Sequence, residues 1–168
     1  MVVVAAMKPI LLSILMSLCM AMLSAAPSAN ADCFEEAGAY QHVSATVLRA
    51  IAWQESHNRA GAVHRNTNGS VDYGVMQINS VHLTALARYG ISKAMLMEAC
   101  TNIYVAAWHL RQKINKYGNT WTAVGAYHSE ARKERDEYAM KIASLVARWS
   151  ASASSLNQTG VQVASAAH

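Results

Sequence analysis

Between residues 34 and 149 apolar side chains recur at three- and four-residue spacing, and one short polar stretch, residues 58–74, breaks this rhythm. A chain so patterned must pack helices against one another and accommodate a small non-helical insertion between them. Ser44 stands as an N-cap before a helix over 45–56, in which Val47, Leu48, Ile51 and Ala52 form one apolar face. In the insertion, Asn68-Gly69 lies between Val63-His64-Arg65 and Val71-Asp72-Tyr73, a pattern that predicts a β-hairpin. Further helices are expected over 80–88, 92–99, 101–117, 120–127 and 132–149, with Gly90 and Gly118 as stops. The last of these carries Tyr138, Ile142, Leu145 and Trp149 on one stripe. The fold class is therefore mainly α (α+β), a helical domain with a small hairpin. With 53% hydrophobic residues and both signs of charge, the chain has the means to bury a core and is not disordered by composition.

The two ends differ from this middle. Lys8, the apolar run 9–23 and the small residues ending in Ala29-Asn30-Ala31 form the pattern of a secretory signal peptide cleaved after Ala31. The apolar run is shorter than the roughly 20 residues a membrane span needs, and Cys19 follows Leu18 rather than a small residue, so neither a stable membrane anchor nor a lipid anchor is expected. The domain then covers 32–150, and the charge-free Ser/Ala/Gln/Thr stretch 151–168 is expected to be a disordered tail. Export leaves Cys33 and Cys100, an even pair in an oxidising compartment, which predicts one structural disulfide worth about 4 kcal/mol of chain entropy. The formal charge is +4, one unit of it from Lys8. A modest basic surplus suits a polyanionic wall, and without a dense Lys/Arg run it does not point to nucleic acid. The seven histidines show no metal-ligand spacing, so no metal and no cofactor are expected. His57, His64 and His82 are expected in solvent, Met95 and Met97 in core gaps, and Trp53, Trp108 and Trp121 in the core.

Carboxylates are scarce in the middle of the chain. Between Glu36 and Glu98 there are only Glu55 and Asp72. Glu55 closes an apolar helix beside Trp53, where apolar surroundings and the negative end of the helix dipole both disfavour its ionised form. A carboxyl kept neutral in this way can act as a general acid. Asp72, seventeen residues later, is placed either to serve as a second carboxylate or merely to cap the hairpin turn.

Glu55-Ser56, followed by Asn66-Thr67-Asn68-Gly69-Ser70-Val71-Asp72-Tyr73-Gly74-Val75-Met76-Gln77-Ile78-Asn79-Ser80, resembles the active-site region of two related families. The bacterial lytic transglycosylases share the Glu-Ser and Gly-(Leu/Val)-Met-Gln-Ile motifs. The c-type lysozymes share Asn-x-x-Gly-Ser-x-Asp-Tyr-Gly-(Ile/Leu)-x-Gln-Ile-Asn-Ser almost position for position. Gly125-Ala126-Tyr127-His128-Ser129 is similar to a motif of the small exported transglycosylases that serve type III and type IV secretion, conjugation and pilus machines. The resemblance implies a lysozyme-like fold, Glu55 as catalytic acid, and Ser56, Gln77, Asn79 and Tyr127 at the substrate. It also implies peptidoglycan glycan strands as substrate, a periplasmic or secreted location, and a secretion, conjugation or pilus apparatus as partner. In c-type lysozymes the position of Asp72 holds the second carboxylate, which leaves a hydrolase using Glu55 and Asp72 as the rival to a transglycosylase. A non-catalytic wall-binding module is the third reading. Where many transglycosylases continue Asn-Ala-Gly after the tyrosine, this chain has His128-Ser129-Glu130, and no role carries over to those three.

Overall fold

The computed structural model describes the backbone of residues 29–165 and the side chains of residues 33–155. Up to residue 28, the expected leader lies outside the described residues. Helices α1 (Ala29–Gln41) and α2 (Ala45–Ser56) are followed by three short strands, β1 (Val63–Arg65), β2 (Val71–Tyr73) and β3 (Ile78–Asn79). A 3-10 turn, Ser80–His82, leads into α3 (Leu83–Ala87), and a second, Met95–Met97, precedes α4 (Ala99–Tyr117). Then come α5 (Trp121–His128) and α6 (Arg132–Ser165). Among the described residues no helix is long and apolar enough to cross a membrane.

The start of α2 is set by Ser44, whose extended backbone and hydroxyl, accepting from the Val47 N–H at 3.3 Å, satisfy one of the first-turn donors. Its apolar face buries Leu48, Ala50, Ile51 and Ala52. The helix ends where His57 and Asn58 both turn left-handed, with φ of 54° and 61°. The hairpin has the expected register, Val63 opposite Tyr73 and His64 opposite Asp72. Its loop is not a two-residue mirror-image turn: the Asn66 carbonyl accepts from Gly69 N–H at 3.0 Å and only Gly69, at φ 84°, is left-handed. This is a type I turn closed by a glycine bulge. The third strand, β3, pairs antiparallel with β2 and was not anticipated, since two residues are too few to show alternation.

Asn102 holds sheet and helices together. It is wholly buried on α4, donates to the carbonyls of Tyr73 and Leu96 at 2.9 Å each, and accepts from the Met76 N–H at 2.7 Å. Gly74 makes this approach possible: a Cβ there would lie 2.4 Å from the Leu96 oxygen and 2.5 Å from Asn102 Nδ2, and its φ of 77° is left-handed. Around this pin Leu48 and Ile51 of α2, Met76 of the loop before β3, Leu96 of the second 3-10 turn, Ile103 and Leu110 of α4, and Ile142 of α6 close the core. The Cys33–Cys100 disulfide is present, with Cα atoms 5.4 Å apart, and fastens α1 to α4.

Several expectations change. Residues 92–99 form only the 3-10 turn Met95–Met97, and Leu96 rather than either methionine fills the core there. Trp53 and Trp121 are exposed, and Trp108 is half-buried. The stretch from residue 151, expected to be a disordered tail, continues α6 as far as Ser165. Alanine is the best helix former, no proline intervenes, and the hydroxyls of Ser150, Ser152, Ser154 and Ser155 bond back to carbonyls one turn earlier.

Replacing Asn102 with leucine keeps volume but strands two buried carbonyls and one N–H. The expected loss is about 3–5 kcal/mol of unfolding free energy, measurable by urea denaturation.

Candidate active site

Glu55 is the penultimate residue of α2, and α6 packs across that helix so that Tyr138, almost completely buried, donates its hydroxyl to Glu55 Oε1 at 2.5 Å. Among the described residues no second hydrogen bond reaches the carboxyl. Burial raises its pKa to about 7; the Tyr138 bond pulls it down, and the charge of Asp72 pushes it further up. Near neutral pH the side chain is thus divided between acid and carboxylate. The tyrosine ring is itself held: His128 stacks on it, centroids 4.8 Å apart and planes within 4°.

Glu55 opens onto a cleft of about 610 Å³ between the sheet and helices α4 and α5. Asp72, in the middle of β2, faces the same cleft. Both of its oxygens are engaged, Oδ2 by Asn66 Nδ2 at 2.8 Å and Oδ1 by Asn79 Nδ2 at 2.6 Å. The turn itself is capped by Asn68, whose Oδ1 accepts from Ser70 N–H at 3.0 Å, and Asp72 braces the hairpin through its bond from Asn66. On the opposite wall Tyr127 donates to the Met76 carbonyl at 2.9 Å, and His109 and His82 continue as a row of rings with centroids 5.2 and 5.0 Å apart. Burial lowers the pKa of both histidines, that of His109 to about 4, so His109 is neutral near pH 7. A third carboxyl lines the cleft, Glu130, but Lys113 and Lys116 bind it at 2.7 and 2.5 Å. Their hydrogen bonds hold its pKa down at about 2. Of the two glutamates, Glu55 is the one that keeps its proton near neutral pH.

A match to the transglycosylase SLT domain covers residues 32–143. The chain belongs to this family. The SLT domain is 41% identical over 118 residues to protein IpgF of Shigella flexneri, covering 67% of this chain and 78% of that protein. It is 40% identical over 120 residues to the invasion protein IagB of Salmonella typhimurium, covering 68% and 75%. The fold matches that of an inactive variant of the lytic transglycosylase Slt of Pseudomonas aeruginosa, with a TM-score of 0.58 and 20% identity over 78% of this chain. That match takes in 26% of the larger Slt chain.

Within the SLT domain the residues singled out from sequence divide into two groups. Glu55, Asp72, Gln77, Asn79 and Tyr127 all line the cleft. Ser56 does not: it is 1% exposed, donates to the Val75 carbonyl at 2.8 Å and accepts from Arg59 N–H at 3.0 Å. It seats the end of α2 against the loop before Met76, and its motif position marks packing rather than substrate contact. The Asn79 amide is likewise spent on Asp72 and Ser70, and the Gln77 amide donates to the Gly74 carbonyl at 2.7 Å. Gln77 itself sits at φ 51°, a left-handed conformation held at the cleft floor. Sequence reasoning took Tyr138 only as core stripe, expected Trp108 in the core although it lines the cleft, and gave no role to Asn66 or His109. It placed His82 in solvent, whereas the side chain is half-buried against His109. The available signal for Tyr138 was a hydroxyl on an otherwise apolar stripe, because a buried phenol needs a partner.

Because folding raises the Glu55 pKa from 4.5 to about 7, its stabilising effect is complete below pH 4.5 and is lost as pH rises through 7, at a cost of about 3 kcal/mol. Glu55→Gln is therefore expected to be more stable than the parent at pH 8.5 by up to that amount and equal to it at pH 4, as denaturant midpoints at the two values will show. Asp72→Asn removes a charge that raises the Glu55 pKa. The alkaline limb of the rate–pH profile should move to lower pH.

Proposed function

We propose that this SLT domain is a lytic transglycosylase that cleaves the β-1,4 bond between N-acetylmuramoyl and N-acetylglucosaminyl units of peptidoglycan. The observation that carries this reading is a single carboxyl, Glu55, desolvated and tethered to Tyr138 at the edge of a cleft of about 610 Å³. Neutral Glu55 gives its proton to the glycosidic oxygen as the bond to C1 breaks. The resulting carboxylate takes the proton from the C6 hydroxyl of the same muramoyl unit, whose oxygen bonds to C1. The product is a 1,6-anhydromuramoyl end, no water is consumed, and Glu55 returns to its neutral form. The nucleophile belongs to the substrate, so positioning in the cleft supplies much of the acceleration. A pKa of about 7 suits a group that must serve first as acid and then as base.

One observation favours a second reading. Asp72 is fixed by two asparagine amides on the cleft wall, an arrangement a retaining hydrolase would use to stabilise the glycosyl intermediate, with water as the final nucleophile. The basic surplus suits the wall's peptide carboxylates, and the export pattern of the leader supports a location in the periplasm or outside the cell. The motif around Tyr127 and the relative named an invasion protein support a role in opening the wall locally for a secretion or pilus apparatus.

Digestion of purified sacculi followed by mass spectrometry separates the two chemistries: transglycosylation yields muropeptides lighter by one water than hydrolysis does. Anhydro ends are expected, and products with reducing ends alone would select the Glu55–Asp72 hydrolase. Glu55→Gln should lower the rate of wall clearing by about 10²–10⁴-fold, and equal clearing by variant and parent would remove Glu55 from the reaction.

A further inference from the structure

A second cleft, of about 680 Å³, lies behind the catalytic acid. It is built from the same two helices. Trp53 and Glu55 are two residues apart on α2 and so point roughly 200° apart around its axis; Glu55 lines the active-site cleft and Trp53 lines this one. On α6, Tyr138 reaches Glu55 while Met140 and Lys141 line the second cleft. Trp53 is 41% exposed and Met140 65%, a large outlay of apolar surface for a site away from the reaction. His57 meets the indole edge-on, centroids 5.0 Å apart. Lys141 and Arg148 set two cations beside it, with Arg148 Nη1 donating to Ser144 Oγ at 2.7 Å.

We propose that this cleft is an auxiliary wall-binding site, in which a sugar ring of an uncleaved peptidoglycan strand stacks on Trp53 and a stem-peptide carboxylate is held by Lys141 and Arg148. Two features decide for wall rather than for a protein partner. Apart from Trp53, Met140 and the buried Leu145, the lining is polar, with an amide, a hydroxyl and charged groups that match a sugar's hydroxyl and acetamido groups. The second feature is charge: Lys141 and Arg148 outnumber the one carboxylate of the lining, Glu137. The cations complement the carboxylates of the stem peptides. Holding one strand behind the acid keeps the enzyme on an insoluble substrate between cuts, because a second contact on the same polymer raises the effective concentration of the first.

The inference rests on peptidoglycan being the substrate, and its test separates binding from cleavage. Glu55→Gln protein, with and without Trp53→Ala or Lys141→Glu, is pelleted with intact sacculi. Each added substitution is expected to weaken binding about tenfold, the scale of one aromatic or ionic contact. With Glu55 intact, the same substitutions should slow digestion of sacculi about tenfold and leave cleavage of short soluble muropeptides unchanged. Unchanged pelleting in both variants would overturn the proposal and direct attention to a protein partner; equal losses on sacculi and soluble fragments would overturn it too, by tracing the effect to α2 and the acid. If the parent cleaves neither substrate, the proposed function fails, while the pelleting result still decides whether the second cleft binds wall.

Discussion

The packing of α6 across the end of α2 sets the chemistry of this molecule. It removes the Glu55 carboxyl from water on one side and offers it a single neutral hydroxyl in return. Desolvation is the larger effect and raises the pKa; the hydrogen bond works against it and keeps the rise moderate. The rest of the fold holds this contact in place. Ser56 fastens the end of α2 to the loop before Met76, Asn102 fastens that loop to α4, and Tyr127 donates to the Met76 carbonyl from the far wall. The acid, the floor of the cleft and its opposite wall are thus linked through one short segment, residues 74–77.

This coupling explains what the sequence made legible. The stretch from Gly74 to Ser80 is recognisable because several constraints coincide there. Gly74 must be a glycine for Asn102 to approach, Gln77 is left-handed, and Asn79 orients Asp72. Residues under such local constraint form a readable motif, and the helix cap at Ser44 and the hairpin register follow from equally local rules. Tyr138 is 83 residues from its partner, and the hydroxyl on its apolar stripe shows that a partner is needed without showing which residue it is. His128 and Glu130, outside the family pattern, found roles only in three dimensions, one stacked on Tyr138 and the other bound by two lysines. Ser56 shows the reverse case: a motif residue beside Glu55 whose work is entirely internal. The helical continuation after Trp149 escaped notice because serine-rich composition was weighed above alanine's helix propensity.

The cleft also contains its own control experiment on why a tyrosine, and not a cation, partners the acid. Glu55 and Glu130 are the same residue type on the same cleft wall system, and their environments drive them apart: about 7 for one, about 2 for the other. Glu130 is exposed to water and bound by two ammonium groups, so its ionised form is favoured twice over. Were a lysine to replace Tyr138 opposite Glu55, the same electrostatic attraction would favour the carboxylate, and the proton that the proposed mechanism needs would be gone before substrate arrived. A phenol can hold the carboxyl in one orientation without supplying a full positive charge. Its own pKa, raised far above neutrality by burial, ensures that the shared proton stays on the tyrosine when Glu55 is ionised. Orientation and acidity are thereby set by separate features, the hydroxyl and the burial. The role proposed for Glu55, first releasing a proton and then recovering one, requires that separation.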